Sequence, residues 1–389
     1  MRTPVGPLDD YFAGTIVGDG LEVSVWRGGR LVAPLVALSG WDVSWDADRQ
    51  VQGMGTFVIS DPDGRLAPWG MGDALAPGGS RLQVAYVTGQ GARVPLGWWR
   101  IRSSEPSETW SARVTGGALR WVPGAGTVTV RADEETSTAV MERMDSEVPV
   151  GPTCIAEVRR LLSGICPVSV ADAVSDAALP AGLVYDVGRM DAVDDLLGVL
   201  GAAHRMGPDG ALQIVPAGGV DSGWVVAGGP SGALVSLERA LSDDGVYNAA
   251  ISSGETPAGV PVVGRAYLGG GPVEWGGPFG RVPLFHRAIA STSVGVAADA
   301  RAILSARVAS GEVDLSVRCL SHPGVQVHDR VTVRAATVAG ERPIEGRVVG
   351  MAMSSASASG GVVPAREMSL RVRVSVEALE AVSEVVRRG

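Results

Sequence analysis

The stretch FVISDPDGRLAPWG, residues 57–70, admits three readings, and they lead to three kinds of protein. An apolar run enters Asp61-Pro62-Asp63-Gly64, so the segment is a calcium loop, a pair of catalytic carboxylates, or a sharp turn between strands. A helix–loop–helix calcium site needs acidic ligands at positions 1, 3 and 5, glycine at 6 and glutamate at 12. Here Gly64 falls at position 4, Arg65 takes position 5, and no glutamate closes the loop. The flanks read as strands, not helices. Pro62 presets φ and Gly64 permits φ > 0, which is the chemistry of a turn. Acidic side chains in a surface turn are expected to stay solvated. The turn is therefore the reading adopted, and with it a β-rich chain.

Strand signals continue on both sides. LEVSVWRGGRLVAPL, residues 21–35, is two alternating runs around Gly28-Gly29, a hairpin signature. GWDVSWDA, residues 40–47, puts Trp41, Val43 and Trp45 on one face. SRLQVAYVTGQGARVPLGWWRIRSSEP, residues 80–106, holds another hairpin turned at residues 88–92. Short strands with frequent turns over residues 10–122 predict a sandwich or barrel.

The texture changes near residue 126. Residues 127–144 predict a strand and then a helix. Thr153 is placed as the N-cap of a second helix whose Ile155, Val158, Leu161 and Leu162 share a face. A strand at Leu183–Val187, a helix at Asp191–Ala203 and a hairpin turned at Pro208-Asp209-Gly210 complete a small α/β domain. From residue 231 strands return, first at residues 246–254. Residues 261–288 are rich in Gly and Pro and are expected to be a long loop, followed by a helix from Val296 to Ala309. Residues 312–355 and 366–376 read as strands, and 376–388 as a terminal helix. The expected divisions are 1–125, 126–230, 231–315 and 316–389, with the first and last alike in β texture.

Composition narrows the function. A chain of 389 residues exceeds what one core usually serves. Hydrophobic content of 46% excludes disorder as the default. The net charge is −9, and no lysine occurs, so every basic side chain apart from histidine is arginine. An acidic chain without a basic run argues against nucleic-acid binding. Lysine is absent and asparagine appears once, at Asn248, which suggests GC-rich coding and an actinobacterial setting. Three cysteines, Cys154, Cys166 and Cys319, suggest no disulfide framework. No apolar leader or run of spanning length is seen, so synthesis in a cytoplasm and no stable membrane insertion are expected.

Candidate chemistry is thin. Cys319, His322 and His328 resemble three metal ligands, yet no fourth lies at finger-like spacing and His322-Pro323-Gly324 is a turn. No G-x-S-x-G or H-E-x-x-H occurs, and without lysine a phosphate loop cannot be present. Trp98-Trp99 and Trp275 suit sugar stacking, but a buried or interface tryptophan is the commoner fate. No catalytic, cofactor-binding or metal-ligating residue is assigned, no cofactor is expected, and the chain is expected not to be an enzyme.

Several phrases taken together resemble a known group. Residues 40–87 followed by VPLGWWRI, residues 94–101, resemble the N-terminal domain of minor tail proteins from siphophages of actinobacteria. DDGVYNAAISSGE, residues 243–255, is similar to the strand that re-enters the second barrel of tail-tip hub proteins. Residues 192–216 resemble the hub's small middle domain. SHPGVQVHDRVTVR, residues 321–334, resembles the hub phrase in which a turn precedes a G-D-x-V-x-V strand, with His328 standing where that glycine is expected. Each motif is degenerate, and their order over residues 10–375 carries the likeness.

The resemblance implies a β-rich α+β multidomain fold: two tail-tube-like β-barrels, residues 1–125 and 316–389, with a small α/β domain between them. It implies a baseplate or tail-tip hub in the virion. Three chains would form a homotrimer whose six barrels continue the tail tube, adapting a six-fold tube to a three-fold tip. Expected partners are the distal tail protein or tail tube, the tape measure protein and other tail-tip or fibre proteins, with DNA only as cargo. A distal tail ring protein, a receptor-binding module using Trp residues and the 269–280 loop, and a cell-wall-degrading tail-tip enzyme are the alternatives.

Overall fold

The computed structural model describes residues 18–378 except 181, 230–231, 240–245, 257–258, 272, 289–291, 308–311, 338–339, 356–366 and 376–377. The chain divides into two units: a larger one reaching Glu238 and including Ser316–Ala336 and Glu341–Val372, and a smaller one centred on Arg239–Leu315. In the larger unit the first strands are β1 (Gly20–Arg27), β2 (Arg30–Val36), β3 (Leu38–Asp46), β4 (Gly53–Asp61), β5 (Ser80–Val87), β6 (Arg93–Thr115) and β7 (Ala118–Glu134). A small lobe follows: α1 (Thr136–Met141), α2 (Cys154–Leu161), β8 (Val168–Val170), α3 (Arg189–Val199), β9 (Ala202–Met206) and β10 (Leu212–Pro216). Next come β11 (Val220–Ala227) and β12 (Leu234–Arg239). The smaller unit holds β13 (Ala249–Glu255), β14 (Pro261–Tyr267), β15 (Pro283–Arg287) and α4 (Ser293–Arg307). The last strands are β16 (Glu312–Leu320), β17 (Asp329–Thr337), β18 (Gly340–Ser354) and β19 (Glu367–Ser375).

The chain is β-rich, as its turn-laden texture requires. The main sheet runs β12-β16-β19-β18-β3-β4-β7-β6-β5-β1-β2, with β17 pairing β18 and β11. Among the described residues this path stays open, ending at β12 and β2. The expected hairpin at Gly28-Gly29 joins β1 to β2, both glycines at positive φ. Trp41, Val43 and Trp45 all face inward. Trp45 and Phe57 meet Trp99 edge-on at 5.4 and 6.2 Å. A Cβ on Gly55 would sit 2.8 Å from the Phe57 ring, so the aromatic cluster explains that glycine.

The small lobe builds its own core. Val158, Leu161, Leu162, Met190, Val193, Leu196 and Leu197 pack on Leu212 and Ile214 of a sheet ordered β8-β10-β9. Thr153 caps α2 as expected, its hydroxyl accepting from the Ala156 amide at 3.4 Å. The expected strand at Leu183–Val187 is not formed: only Tyr185 pairs, with Glu147, while Val184 and Val187 are exposed. The helix expected at Asp191–Ala203 is Arg189–Val199, because Gly201 at φ +59 ends it and Ala202 opens β9. Buried His204 joins this lobe to the β3–β4 connection. One ring nitrogen lies 3.2 Å from Asp194 and the other 3.1 Å from the Gln50 carbonyl oxygen. Burial alone would lower its pKa, but these acceptors outweigh burial and raise it.

In the smaller unit β13 pairs antiparallel with β14 and parallel with β15, and α4 packs on β14 and β13. The Val296 backbone of α4 comes so close to Gly264 that a Cβ there would lie 2.3 Å from its carbonyl oxygen. The long loop expected over residues 261–288 is therefore corrected. β14 and β15 flank a shorter irregular stretch, because both strands find ladder partners on β13. The helix expected from Val296 begins at Ser293; its expected end, and the terminal helix apart from residue 378, lie outside the described residues.

Candidate assembly surface

β6 spans 23 residues and β7 spans 17, far longer than the strands beside them. β5 pairs β6 only through residues 93–100, and β4 pairs β7 only through 126–133. Beyond that, residues 109–125 form a two-stranded ribbon turned at Gly116-Gly117, whose φ values of 60° and 79° suit a tight hairpin. Residues directly opposite share a face. Trp110 faces Pro123, Ala112 faces Trp121 and Val114 faces Leu119, so one face of the ribbon is wholly apolar. Trp110 is 46% exposed, Trp121 68%, Leu119 69% and Val114 73%. On the other face Arg113 stands opposite Arg120, a like-charge pairing that weakens the ribbon. An isolated hairpin is marginal in water, and this one also leaves its apolar face wet.

The turn that opened the sequence reading lies against this ribbon. Asp61 is buried, not solvated as a surface turn suggests, because its carboxylate serves its own loop. It accepts the amides of Arg65 at 2.9 Å, Leu66 at 2.9 Å and Ala67 at 3.0 Å. Gly64 takes φ +66 with the Gly124 carbonyl 3.0 Å from where a Cβ would stand, so the turn touches the base of the ribbon. Further on, one Asp73 oxygen accepts the amides of Trp69 and Gly70, each at 2.7 Å. Those bonds hold the Asp73 carboxyl below its ordinary pKa. The result presents Trp69 edge-on to Trp110, 5.9 Å between rings at 87°, with Trp69 74% and Met71 68% exposed. The loop enlarges the apolar face of the ribbon.

The other candidates are placed as follows. Trp99 is buried in the core, Trp98 lies on the outer face of the sheet, and Trp275 stacks on Tyr267 at 4.9 Å. Cys319 is buried, with its thiol pKa pushed up to about 12 by burial. His322 packs on Trp224 at 4.8 Å, and burial lowers its pKa to about 4. His328 sits 3.2 Å from Arg347; burial and that cation lower it to about 3. Among the described residues no three His, Cys, Asp or Glu side chains gather as a metal site. His328 adopts φ 64, the left-handed region glycine favours, at the position where the resemblance expects glycine. Its neighbour Asp329 is buried and accepts from Arg205 at 2.8 Å and from the Gln326 amide at 3.0 Å.

By sequence the chain matches no protein-family model and no curated protein. By structure it is similar to a tail protein from Neisseria meningitidis, at 13% identity and TM-score 0.59, covering 91% of this chain and 96% of that one. It is similar as well to the 43 kDa tail protein of prophage MuSo2 from Shewanella oneidensis, at 12% identity and TM-score 0.55, with 92% and 99% covered. The fold is that of phage tail proteins. A third likeness, at 12% identity and TM-score 0.51 over 92% of this chain and 78% of the other, is to an E. coli component of the type VI secretion system that resembles the T4 tail proteins gp27 and gp5. The ribbon lies almost wholly within the residues 10–122 read as strands, but no hairpin was read there past residue 106; its Gly116-Gly117 turn between alternating runs was the available signal.

Proposed function

We propose that this chain is a structural tail protein, the tail-tip hub of a phage baseplate, acting without enzymatic activity. The exposed apolar ribbon carries this reading, and the tail-protein fold supports it. Three copies close a ring, each giving two tube-like barrels, so that the ring continues a six-fold tube onto a three-fold tip and passes DNA. The ribbon of one copy packs on the next. Its apolar face offers on the order of 400 Å² if each large side chain contributes at the usual scale, about half of one partner's share of a standard interface. Its opposite face is basic through Arg113 and Arg120, which suits a neighbour of the same chain with net charge −9. The distal tail protein or tail tube, the tape measure protein and fibre proteins contact the ring's other surfaces.

Light scattering on the purified chain is expected to give a trimer. Trp121→Ser with Leu119→Ser is expected to weaken association by about a hundredfold or more, since buried aromatic anchors dominate such contacts, while the melting of the monomer stays cooperative. A hexamer would favour the distal ring protein. A monomer whose antibody label is missing from the tail tip of virus particles would sink the hub.

A further inference from the structure

Trp26 and Trp98 stand apart from the core tryptophans. In β1 the side chains of Val23 and Val25 point inward, so Ser24 and Trp26 take the outer face, and in β6 Trp98 is on the opposite side from buried Trp99. Their rings meet at 5.5 Å and 70°. The β9–β10 turn approaches them, with Gly210 so placed that a Cβ would lie 3.2 Å from the Trp98 indole. Between turn and sheet lies a cleft of about 300 Å³, at the small end of ligand sites, lined by Trp26, Trp98, Arg27, Arg81, Glu135 and Asp209 among others.

We propose that this cleft binds a neutral saccharide. A pyranose ring has an apolar C–H face and a rim of hydroxyls, so it needs an aromatic wall beside groups that donate and accept. Two indoles supply the wall. The charges balance, two arginines against two carboxylates, and the arginines are already engaged. Arg81 donates to Glu135 at 2.6 Å, and Arg27 donates to the Met71 carbonyl at 2.8 Å. A phosphate would need surplus positive charge, and a cation surplus negative charge. What remains to meet hydroxyls is polar: the exposed Asp209 carboxylate, whose Oδ1 also accepts the Ala211 amide at 3.1 Å, and the guanidinium groups of Arg27 and Arg81, with Glu135 offsetting their charge. The site uses no residue of the ribbon and does not rest on the hub reading.

The test is calorimetry and tryptophan fluorescence on the full chain with cellotriose, maltotriose, mannotriose and chitotriose. At least one is expected to bind saturably in the millimolar range or tighter. Trp98→Ala is expected to weaken binding about tenfold. Asp209→Ala should weaken it too, with Asp209→Asn keeping the acceptor for the Ala211 amide as the control for the turn, and Trp275→Ala should leave it unchanged. Absence of saturable binding across the panel overturns the proposal. So does binding that survives both Trp98→Ala and Asp209→Ala, or binding of inorganic tripolyphosphate in place of the sugars. Light scattering of the same variants reads the trimer separately, so failure of one idea is not mistaken for failure of the other.

Discussion

Two turn-rich segments without hydrophobic periodicity, residues 61–70 and 268–282, are each organised by one buried polar side chain, and the chemistry of that side chain differs. Asp61 faces a loop that turns three amides inward, and a carboxylate, which only accepts, suits it. Asn248 faces a loop of mixed polarity. Its Nδ2 donates to the carbonyls of Gly280 at 2.9 Å and Glu274 at 3.4 Å, while its Oδ1 accepts the Val282 amide at 2.9 Å. A carboxamide, with two N–H donors beside an acceptor oxygen, does both. The lone asparagine of the chain thus stands where neither aspartate nor leucine would serve. An irregular loop is ordered when its inward backbone groups are matched by sign, and the residue type reports which groups point in.

Asp61→Ala breaks the comparison most severely. It strands three amides beneath a residue already buried, and each unsatisfied buried donor costs about 1–3 kcal/mol. Water entering the gap recovers part of this, so a loss of about 3–5 kcal/mol is expected by urea denaturation. A loss under about 1 kcal/mol would mean the loop holds itself without the carboxylate.

Asn248→Asp sharpens the comparison. The substitution keeps the shape and the acceptor but sets a carboxylate against the Gly280 and Glu274 carbonyls. A loss of about 2–4 kcal/mol at neutral pH is expected, shrinking in acid as the new carboxyl protonates and donates again. Asn248→Ala should cost about 2 kcal/mol with no such pH dependence. Equal pH profiles for the two variants would remove the argument from matched sign.

How much was legible in the sequence follows the same division. Short-range chemistry read well: the Gly28-Gly29 and Pro208-Asp209-Gly210 turns, the Thr153 cap and the inward Trp41, Val43 and Trp45 are all set by neighbours in sequence. What failed depended on partners far along the chain. β14 and β15 looked like loop because Gly264 and Pro283 interrupt short runs, and only pairing with β13 makes them strands. The alternation of Trp110, Ala112 and Val114 looks the same whether its apolar face meets a core or water, and among the described residues no second layer covers it. The exposure of that face was not legible for that reason, although the β-rich character was. At His328 the departure from glycine was visible, but the left-handed backbone that the position adopts was not.

The smallest effect expected tests the acidic side of the comparison where it meets the assembly surface. Asp73 is exposed, and its pKa is lowered chiefly by the amides of Gly70 and Trp69. A depressed folded-state value means that its contribution is present above the unfolded value of 3.8 and is lost as pH falls through the lower, folded one. Acid should therefore free the Trp69 loop while the rest of its unit, and the Asn248 loop in the other unit, stay folded. Amide resonances of Trp69 and Gly70 should shift and exchange faster below that pH, with those of Val282 unchanged. The Trp69–Trp110 contact would loosen with them, and a ring built on that face should dissociate at a higher pH than the one at which its chains unfold. Dissociation and unfolding at the same pH would show that the loop does not gate the surface.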